Sequence, residues 1–175
     1  MADLVRPDVR LRTSFLAAMA EFVEEGRSGD DTMIGGDIAR YGSHWGTAEG
    51  FAEYVAETLA ERDQPRLPGW VLQTTLWWVE GSEYVGRISI RHQLNEHLRE
   101  VGGHIGYDVR RSRRREGHAT AMLRAMLPDA HALGIDPALV TCDIDNIASR
   151  RVIKAAGGVL EDQRGVKLRY WVPTR

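Results

Sequence analysis

The segment Gly103-His104-Ile105-Gly106-Tyr107-Asp108-Val109 runs directly into Arg110-Arg111-Ser112-Arg113-Arg114-Arg115-Glu116-Gly117-His118-Ala119-Thr120. Its first half reads as a strand and its second as an arginine-rich turn that opens a helix. Such a turn presents backbone N–H groups without intrahelical acceptors, together with the positive end of the helix dipole, and both suit phosphate. Gly117, lacking a Cβ, lets the main chain approach an anion closely. The arginines can add charge-assisted hydrogen bonds to phosphate oxygens. The ligand implied is a di- or polyphosphate. Out of context an arginine run is a solvated loop or a nucleic-acid patch, and its place at a strand-to-helix turn is what favours phosphate. Neither the G-x-G-x-x-G fingerprint nor the G-x-x-x-x-G-K-[ST] loop occurs.

A second segment, Thr141-Cys142-Asp143-Ile144-Asp145-Asn146-Ile147-Ala148-Ser149-Arg150-Arg151-Val152-Ile153, leads into Lys154-Ala155-Ala156-Gly157-Gly158. It reads as a strand, then a helix capped by Asp145 or Asn146 and stopped by the paired glycines. Singly, these are a cap and a stop. Together and in this order the two segments resemble the GNAT superfamily of acetyl-CoA-dependent N-acetyltransferases. Arg114-x-x-Gly117-x-Ala119 is similar to its R/Q-x-x-G-x-G/A pyrophosphate loop, and the strand, N-x-x-S/A, helix, G-G/F pattern to its other cofactor motif. The resemblance spans residues 70 to 170. Arg91-His92-Gln93-Leu94-Asn95 and Gly103 to Tyr107 look like a bacterial subgroup of predicted acetyltransferases, while residues 1 to 65 match less specifically.

The resemblance implies acetyl-CoA as acetyl donor and, as acceptor, a primary amine of a small molecule or peptide that attacks the thioester directly. The backbone of Tyr107, Asp108 and Val109 would pair with the pantetheine arm. Amides of Arg114, Arg115, Glu116, Gly117, His118, Ala119 and Thr120 would hold the pyrophosphate. Asn146 would reach the arm from the other side, with Ser149 and Arg150 near the phosphates. A homodimer is compatible with the superfamily.

Acetyl transfer needs a neutral amine, a polarised carbonyl and a proton for the leaving thiolate. A backbone N–H near Val109 could polarise the carbonyl. Many relatives place a tyrosine seven residues after the motif asparagine; that position is Ile153, which cannot donate a proton. The candidates for base are His104, which titrates near neutral pH, and Tyr107, which shares the strand parity of Val109. Alternation puts residues 104 and 109 on opposite faces unless a bulge intervenes. A water chain ending on Glu83, Asp143 or Asp145 is the alternative. His104 also has a structural reading, as a hydrogen-bonded core histidine.

The elements that must position these groups follow from periodicity. A short strand near Leu4 precedes a helix over 10–25, where Leu11, Phe15, Ala18, Met19 and Phe22 recur at helical spacing. A glycine-rich acidic loop over 26–46 and a helix over 47–62 follow. Strands are expected over 71–79, 84–94 and 103–109. Next come a helix whose stripe runs from Ala119 to Leu133, interrupted by Pro128, a strand over 138–143, a helix over 147–156 and two closing strands. In the last, Val166, Leu168, Tyr170 and Val172 alternate with Lys167, Arg169 and Trp171. The order β-α-α-β-β-β-α-β-α-β-β makes one mixed α/β domain over 1–175 with helices on both faces. The resemblance adds a mostly antiparallel sheet of about seven strands, splayed between the fourth and fifth. An acceptor pocket is expected from the 26–46 loop, the helix after it and the Pro65–Gln73 approach. Trp45 and Trp70 are candidates to line it, and Glu24, Glu25, Asp30, Asp31 and Asp37 to favour a cationic amine.

With 23 basic and 25 acidic side chains, the net charge of -2 gives no global field for nucleic acid or anionic lipid. One cysteine, Cys142, fits a core position in a reducing compartment, so the cytoplasm is the expected location. The histidines have no metal-ligand spacing, so no metal is expected. No run approaches the roughly 20 apolar residues of a membrane span. Two competing functions remain: a non-catalytic acyl-CoA-binding module, suggested by Ile153, and a nucleic-acid domain using the arginine turn, disfavoured by the acidic balance.

Overall fold

Residues 73–91 decide the architecture, because their large side chains sort to two faces of one sheet. Trp77, Val79 and Tyr84 enter one apolar cluster, and Trp78, Val85, Ile88 and Ile90 enter another. Each face therefore needs its own cover of helices. The computed structural model of residues 1–175 supplies both. In chain order the elements are β1 (Ala2–Val5), α1 (Arg12–Glu24), α2 (Met33–Tyr41), α3 (Ala48–Ala60), β2 (Gln73–Glu80), β3 (Glu83–Arg91), β4 (Ile105–Val109), α4 (His118–Ala132), β5 (Ala138–Asp143), α5 (Ile147–Ala155), β6 (Val159–Arg164) and β7 (Lys167–Val172). α1, α2 and α3 cover the Trp77 face through Phe15, Phe22, Ile34, Ile38, Phe51 and Tyr54. α4 covers the Trp78 face with Met122, Leu123 and Met126, and Ile153 of α5 joins them.

Seven antiparallel strands form two sheets, ordered β1-β2-β3-β4 and β5-β7-β6, and no ladder joins β4 to β5. The two sheets meet at one end only. There the His104 amide donates to the Leu139 carbonyl (2.7 Å), and the Leu139 amide donates to His104 Nδ1 (2.9 Å). The Thr141 hydroxyl donates to the Val101 carbonyl (2.6 Å) beside them. Gly103 is required at this apex. Its φ is +63°, and a Cβ there would stand 2.6 Å from the Leu139 carbonyl oxygen. The expected splay between the fourth and fifth strands is thus observed.

Three expectations change. Within the segment read as a loop, Met33–Tyr41 is helical, started by Thr32, whose hydroxyl accepts from the Gly35 amide (3.1 Å). Ile34, Ile38 and Tyr41 are buried at helical spacing, which outweighs the low propensity of Gly35-Gly36. Trp45 is a core residue, 5.0 Å edge-on to Phe15. In the last strand Leu168, Tyr170 and Val172 face inward as expected, but Val166 sits exposed before the strand begins, and Arg169 is buried on Asp162 and Glu161. α4 runs on through Pro128 to Ala132.

Phe15 contacts Trp45, Phe51, Tyr54, Trp77 and Tyr84 with ring centroids between 5.0 and 5.6 Å. Phe15→Ala should cost about 3–5 kcal/mol, because those five rings cannot collapse into the void together. Urea unfolding should show a lower midpoint at unchanged slope.

Candidate functional site

The gap between β4 and β5 exposes the main chain of β4. Arg91 N–H bonds the His104 carbonyl and Arg110 N–H bonds the Val85 carbonyl, which sets the alternation along the β3–β4 pair. Gly106 and Asp108 therefore bond β3, whereas Ile105, Tyr107 and Val109 turn their amides and carbonyls toward the gap. No bulge interrupts this register. An extended amide-bearing chain could add to that edge as a strand does. Of the three backbone positions expected to pair with such a chain, Asp108 is committed to β3. Its carboxylate takes Arg27 at 2.7 Å.

At the end of β4 the chain turns into α4 through Arg115, at φ 68°, and Gly117, at φ +84°. Gly117 serves α4 as a left-handed N-cap, and a Cβ there would meet nothing within 4 Å, so the space above it is open. The amides of Arg115, Glu116, Gly117, His118, Ala119 and Thr120 find no acceptor in the chain. A run of unpaired amides at a helix N-terminus fits a pyrophosphate.

The arginines themselves are mostly engaged elsewhere. Arg110 pairs with Glu21 (2.5 Å), Arg111 with Glu24 (2.7 Å) and Arg114 with Glu25 (2.5 Å), all on or just after α1. Arg114 Nε also donates to the Val109 carbonyl (2.9 Å). Arg113 binds Glu80, Glu83 and Glu116. Four of the five arginines of the turn are thus paired with carboxylates of this chain, and the turn is a strut more than an open basic patch. Arg91, Arg115 and Arg151 are the arginines that line the gap without a carboxylate partner.

Across the gap, Asn146 caps α5, its Oδ1 accepting from the Ser149 amide at 3.0 Å. The Tyr107 hydroxyl bridges to Ser149 Oγ at 2.6 Å. Burial drives the Tyr107 phenol pKa well above its ordinary value. Cys142 lies on the β5 wall, its thiol pushed up by burial, and Asp143 pairs with Lys167 at 2.7 Å. The space enclosed is about 1270 Å³.

A second cavity of about 310 Å³ lies on the α2/α3 face of the first sheet. Its floor is polar: Gln73, Thr75, Arg87 and Arg91 project from β2 and β3. Asp37 accepts from Arg87 (2.6 Å), Arg66 (3.2 Å) and Tyr54 (2.9 Å), while Arg66 Nε stands 2.5 Å from Glu61. Burial raises the Glu61 carboxyl against the pull of Arg66. Asp31, Thr32, Met33, Arg91, His97 and Leu98 line both cavities, so the two spaces meet there.

Most of the residues singled out in the sequence converge on the larger space. Tyr107, Asp108, Val109, Arg114, Arg115, Gly117, His118, Ala119, Thr120, Asn146 and Ser149 line it. Three do not. Glu116 turns its carboxylate to Arg113 and His118, and Arg150 donates to the Ile144 carbonyl. His104 is the third, and the structure corrects its reading as base. It is buried with Nδ1 occupied by the Leu139 amide, and burial pushes its pKa down to about 4, helped by Arg99 and Arg91. Glu83 is spent on Arg110 and Arg113. The sequence reading gave Arg91 and Arg87 no role at the site, whereas Asp31 was among the carboxylates expected to favour a cationic amine. The alternation Arg87-x-Ser89-x-Arg91 against Ile88 and Ile90 was the available signal, a strand with one polar inner face. The expected acceptor-pocket segments do wall the second cavity, Trp70 among them.

The family model described as an Acetyltransferase (GNAT) domain matches residues 20–159. The fold is shared with microcin C7 self-immunity acetyltransferase MccE, solved with acetyl-CoA and AMP (TM-score 0.67, 11% identity, 98% of this chain and 92% of that one). It is shared equally with Mycobacterium smegmatis RimJ in complex with CoA-disulfide (0.67, 17%, 98% and 80%). PaiA N-acetyltransferase from Thermoplasma acidophilum, solved with coenzyme A, gives 0.63 at 11% identity, covering 99% of each chain. Comparison with curated proteins finds no match. No helix is long and apolar enough to cross a membrane.

The His104 clamp carries a pH dependence. Its pKa is about 6.5 when unfolded and about 4 when folded, so between these values the unfolded chain binds the extra proton. Stability contributed above pH 6.5 should be lost as pH falls toward 4, by about 3 kcal/mol in total. Unfolding curves of His104→Gln should lack that share of the acid slope.

Proposed function

The chain belongs to the GNAT acetyltransferase family, and from that premise we propose that it moves the acetyl group of acetyl-CoA to a primary amine of a small molecule or peptide. The observation that carries the reading is the meeting of two spaces. One is a splayed gap with a free strand edge and a run of unpaired amides; the other is a polar cavity that opens into it at Arg91 and residues 31–33. The first suits the donor and the second the acceptor. Acetyl-CoA supplies an activated acyl group whose thiolate leaves once the amine has added to the carbonyl.

This chain's residues then have separable tasks. The amides of residues 115–120 bind the pyrophosphate, with Arg115 and Arg151 facing the phosphates. The edge amides of Tyr107 and Val109 orient the pantetheine, and one of them donates to the thioester carbonyl as negative charge develops there. The amine nitrogen forms the new C–N bond, the C–S bond breaks, and the nitrogen's surplus proton passes to water. Tyr107 is the group placed to protonate the thiolate. Its raised pKa keeps the phenol protonated, which excludes it as base; the proton it gives the thiolate is returned to it from water, so that it relays a proton and is left unchanged. It stands in for the tyrosine that Ile153 replaces. The free, buried Cys142 accords with a reducing, cytoplasmic setting.

Ile153 favours a second reading, an acyl-CoA-binding module without turnover; the side chain is fully buried in the core under α4. Calorimetry with acetyl-CoA separates this from a protein that does not bind the donor, and thiol release on an amine panel separates binding from catalysis. Wild type should bind acetyl-CoA saturably, while an Arg114→Ala, Gly117→Trp double variant should lose binding. No binding at millimolar donor would end both readings. Tyr107→Phe should lower kcat by about 10²-fold with little change in acetyl-CoA affinity; an unchanged kcat would remove Tyr107 from the proton path.

A further inference from the structure

Arg91 is the one arginine of the cavity floor that the protein leaves without a counter-ion. Its neighbours Arg66 and Arg87 are held by Asp37 and Glu61. The Arg91 guanidinium instead donates through Nη1 to the carbonyls of Gly102 (2.9 Å) and Gly103 (3.2 Å), and no carboxylate lies within ion-pair reach. Its Nε and Nη2 hydrogens have no acceptor in the chain, and they form the fork that matches a carboxylate. Arg91 is half-buried, and burial, and then Arg87, press its pKa down to about 10.

Position decides which anion is meant. Arg91 ends β3 opposite His104, before the start of β4, whereas the unpaired amides follow Val109 at its other end. At roughly 3.4 Å per residue that separation exceeds about 13 Å. Arg91 is therefore not part of the phosphate site. It lines both spaces, as does Asp31, an exposed carboxylate with no ion-pair partner. The junction thus offers an unmatched cation and an unmatched anion, complementary to an ammonium and a carboxylate on one molecule. A neutral monoamine would leave Arg91 uncompensated. The cavity lies at the low end of the roughly 300–1,000 Å³ range of small-molecule sites, which favours a compact acceptor.

We propose that Arg91 binds a carboxylate of the acceptor, so that the substrate class is the amino acids and short peptides that carry a free amine and a free carboxylate. This inference rests on the acetyl-acceptor reading of the second cavity. Asp31 receives the ammonium on entry, Arg91 fixes the carboxylate, and the amine, once neutral, faces the gap where the thioester is held.

The test uses the full chain with CoA present and compares amino acids, their carboxamides and decarboxylated amines by calorimetry, with thiol release from acetyl-CoA measured in parallel. At least one acid should bind about tenfold or more tightly than its own carboxamide. Arg91→Gln should erase that discrimination, and Arg91→Lys, which keeps the charge but not the fork, should retain part of it. Thermal melts and acetyl-CoA binding identify a variant that has lost its fold through the Gly102 and Gly103 carbonyls; in that case the wild-type acid-against-amide ratio still decides. Equal binding of acids and amides, binding of none of the panel, or full discrimination in Arg91→Gln would overturn the proposal. Arg91-dependent binding of acids without thiol release would uphold the carboxylate site while sinking acetyl transfer.

Discussion

Between β4 and β5 the sheet forgoes its hydrogen bonds, and the surrounding structure is arranged to hold that gap open. Leaving buried amides and carbonyls unpaired costs about 1–3 kcal/mol each, so two strands left to themselves would zip together. Three features prevent it. Gly103 brings its backbone against Leu139, and His104 then takes the Leu139 amide with its ring, so the pairing that could propagate ends in a side chain. Tyr107 and Ser149 bridge the far walls at side-chain distance. The core crosses the gap on one face alone: Ile105 and Val109 of β4 share a cluster with Val140 and Cys142 of β5 beneath Met122 and Met126. The sheets are glued by apolar contact on that side and left apart elsewhere.

The gap is useful only if the turn after β4 keeps its amides pointing into it. That turn contains Arg115 at positive φ, an arrangement that costs of order 1–3 kcal/mol and persists only when its surroundings fix it. The fixing comes from three carboxylates at the end of α1, Glu21, Glu24 and Glu25, which take Arg110, Arg111 and Arg114 in succession. Exposed pairs are weak singly, but the Arg110–Glu21 contact is largely buried and extends to the Ser112 amide and hydroxyl. Charge that looks in the sequence like a landing site for an external anion is thus spent on internal registration. The anion is left to backbone dipoles and to Arg115 and Arg151.

This explains what the sequence disclosed and what it withheld. The strand-turn-helix segments at 103–120 and 141–158 were legible because phosphate loops and helix caps depend on local geometry, which short patterns encode. So were the strands over 71–79 and 84–94. Contacts between distant segments were not legible. Nothing near Glu25 announces that its partner is Arg114, and Glu24, Glu25, Asp30 and Asp37, read as selectors of a cationic amine, prove to be counter-ions of this chain's own arginines. α2 escaped notice because Gly35-Gly36 argue against a helix locally, while the burial of Ile34, Ile38 and Tyr41 that stabilises it is tertiary. His104 looked like a base because its type titrates near neutrality; only the fold shows that its ring replaces a backbone carbonyl.

The polar floor under the second cavity is the feature hardest to explain as stability. Replacing a buried network of Asp37, Glu61, Arg66 and Arg87 by packed apolar residues is often neutral or favourable by about 1–4 kcal/mol. The opposite face of the same strands shows that such packing was available, since Ile88 and Ile90 alternate with Arg87, Ser89 and Arg91. A sheet whose second face is apolar at Trp77, Val79 and Tyr84 but polar at Gln73, Thr75, Arg87 and Arg91 keeps that end for something other than cohesion. Within that face Asp37 and Glu61 neutralise two cations, and the third is left to whatever enters. Stability is surrendered at the junction of the two spaces, where a half-buried charge anchored on the Gly102 and Gly103 carbonyls discriminates between molecules that match it and molecules that do not.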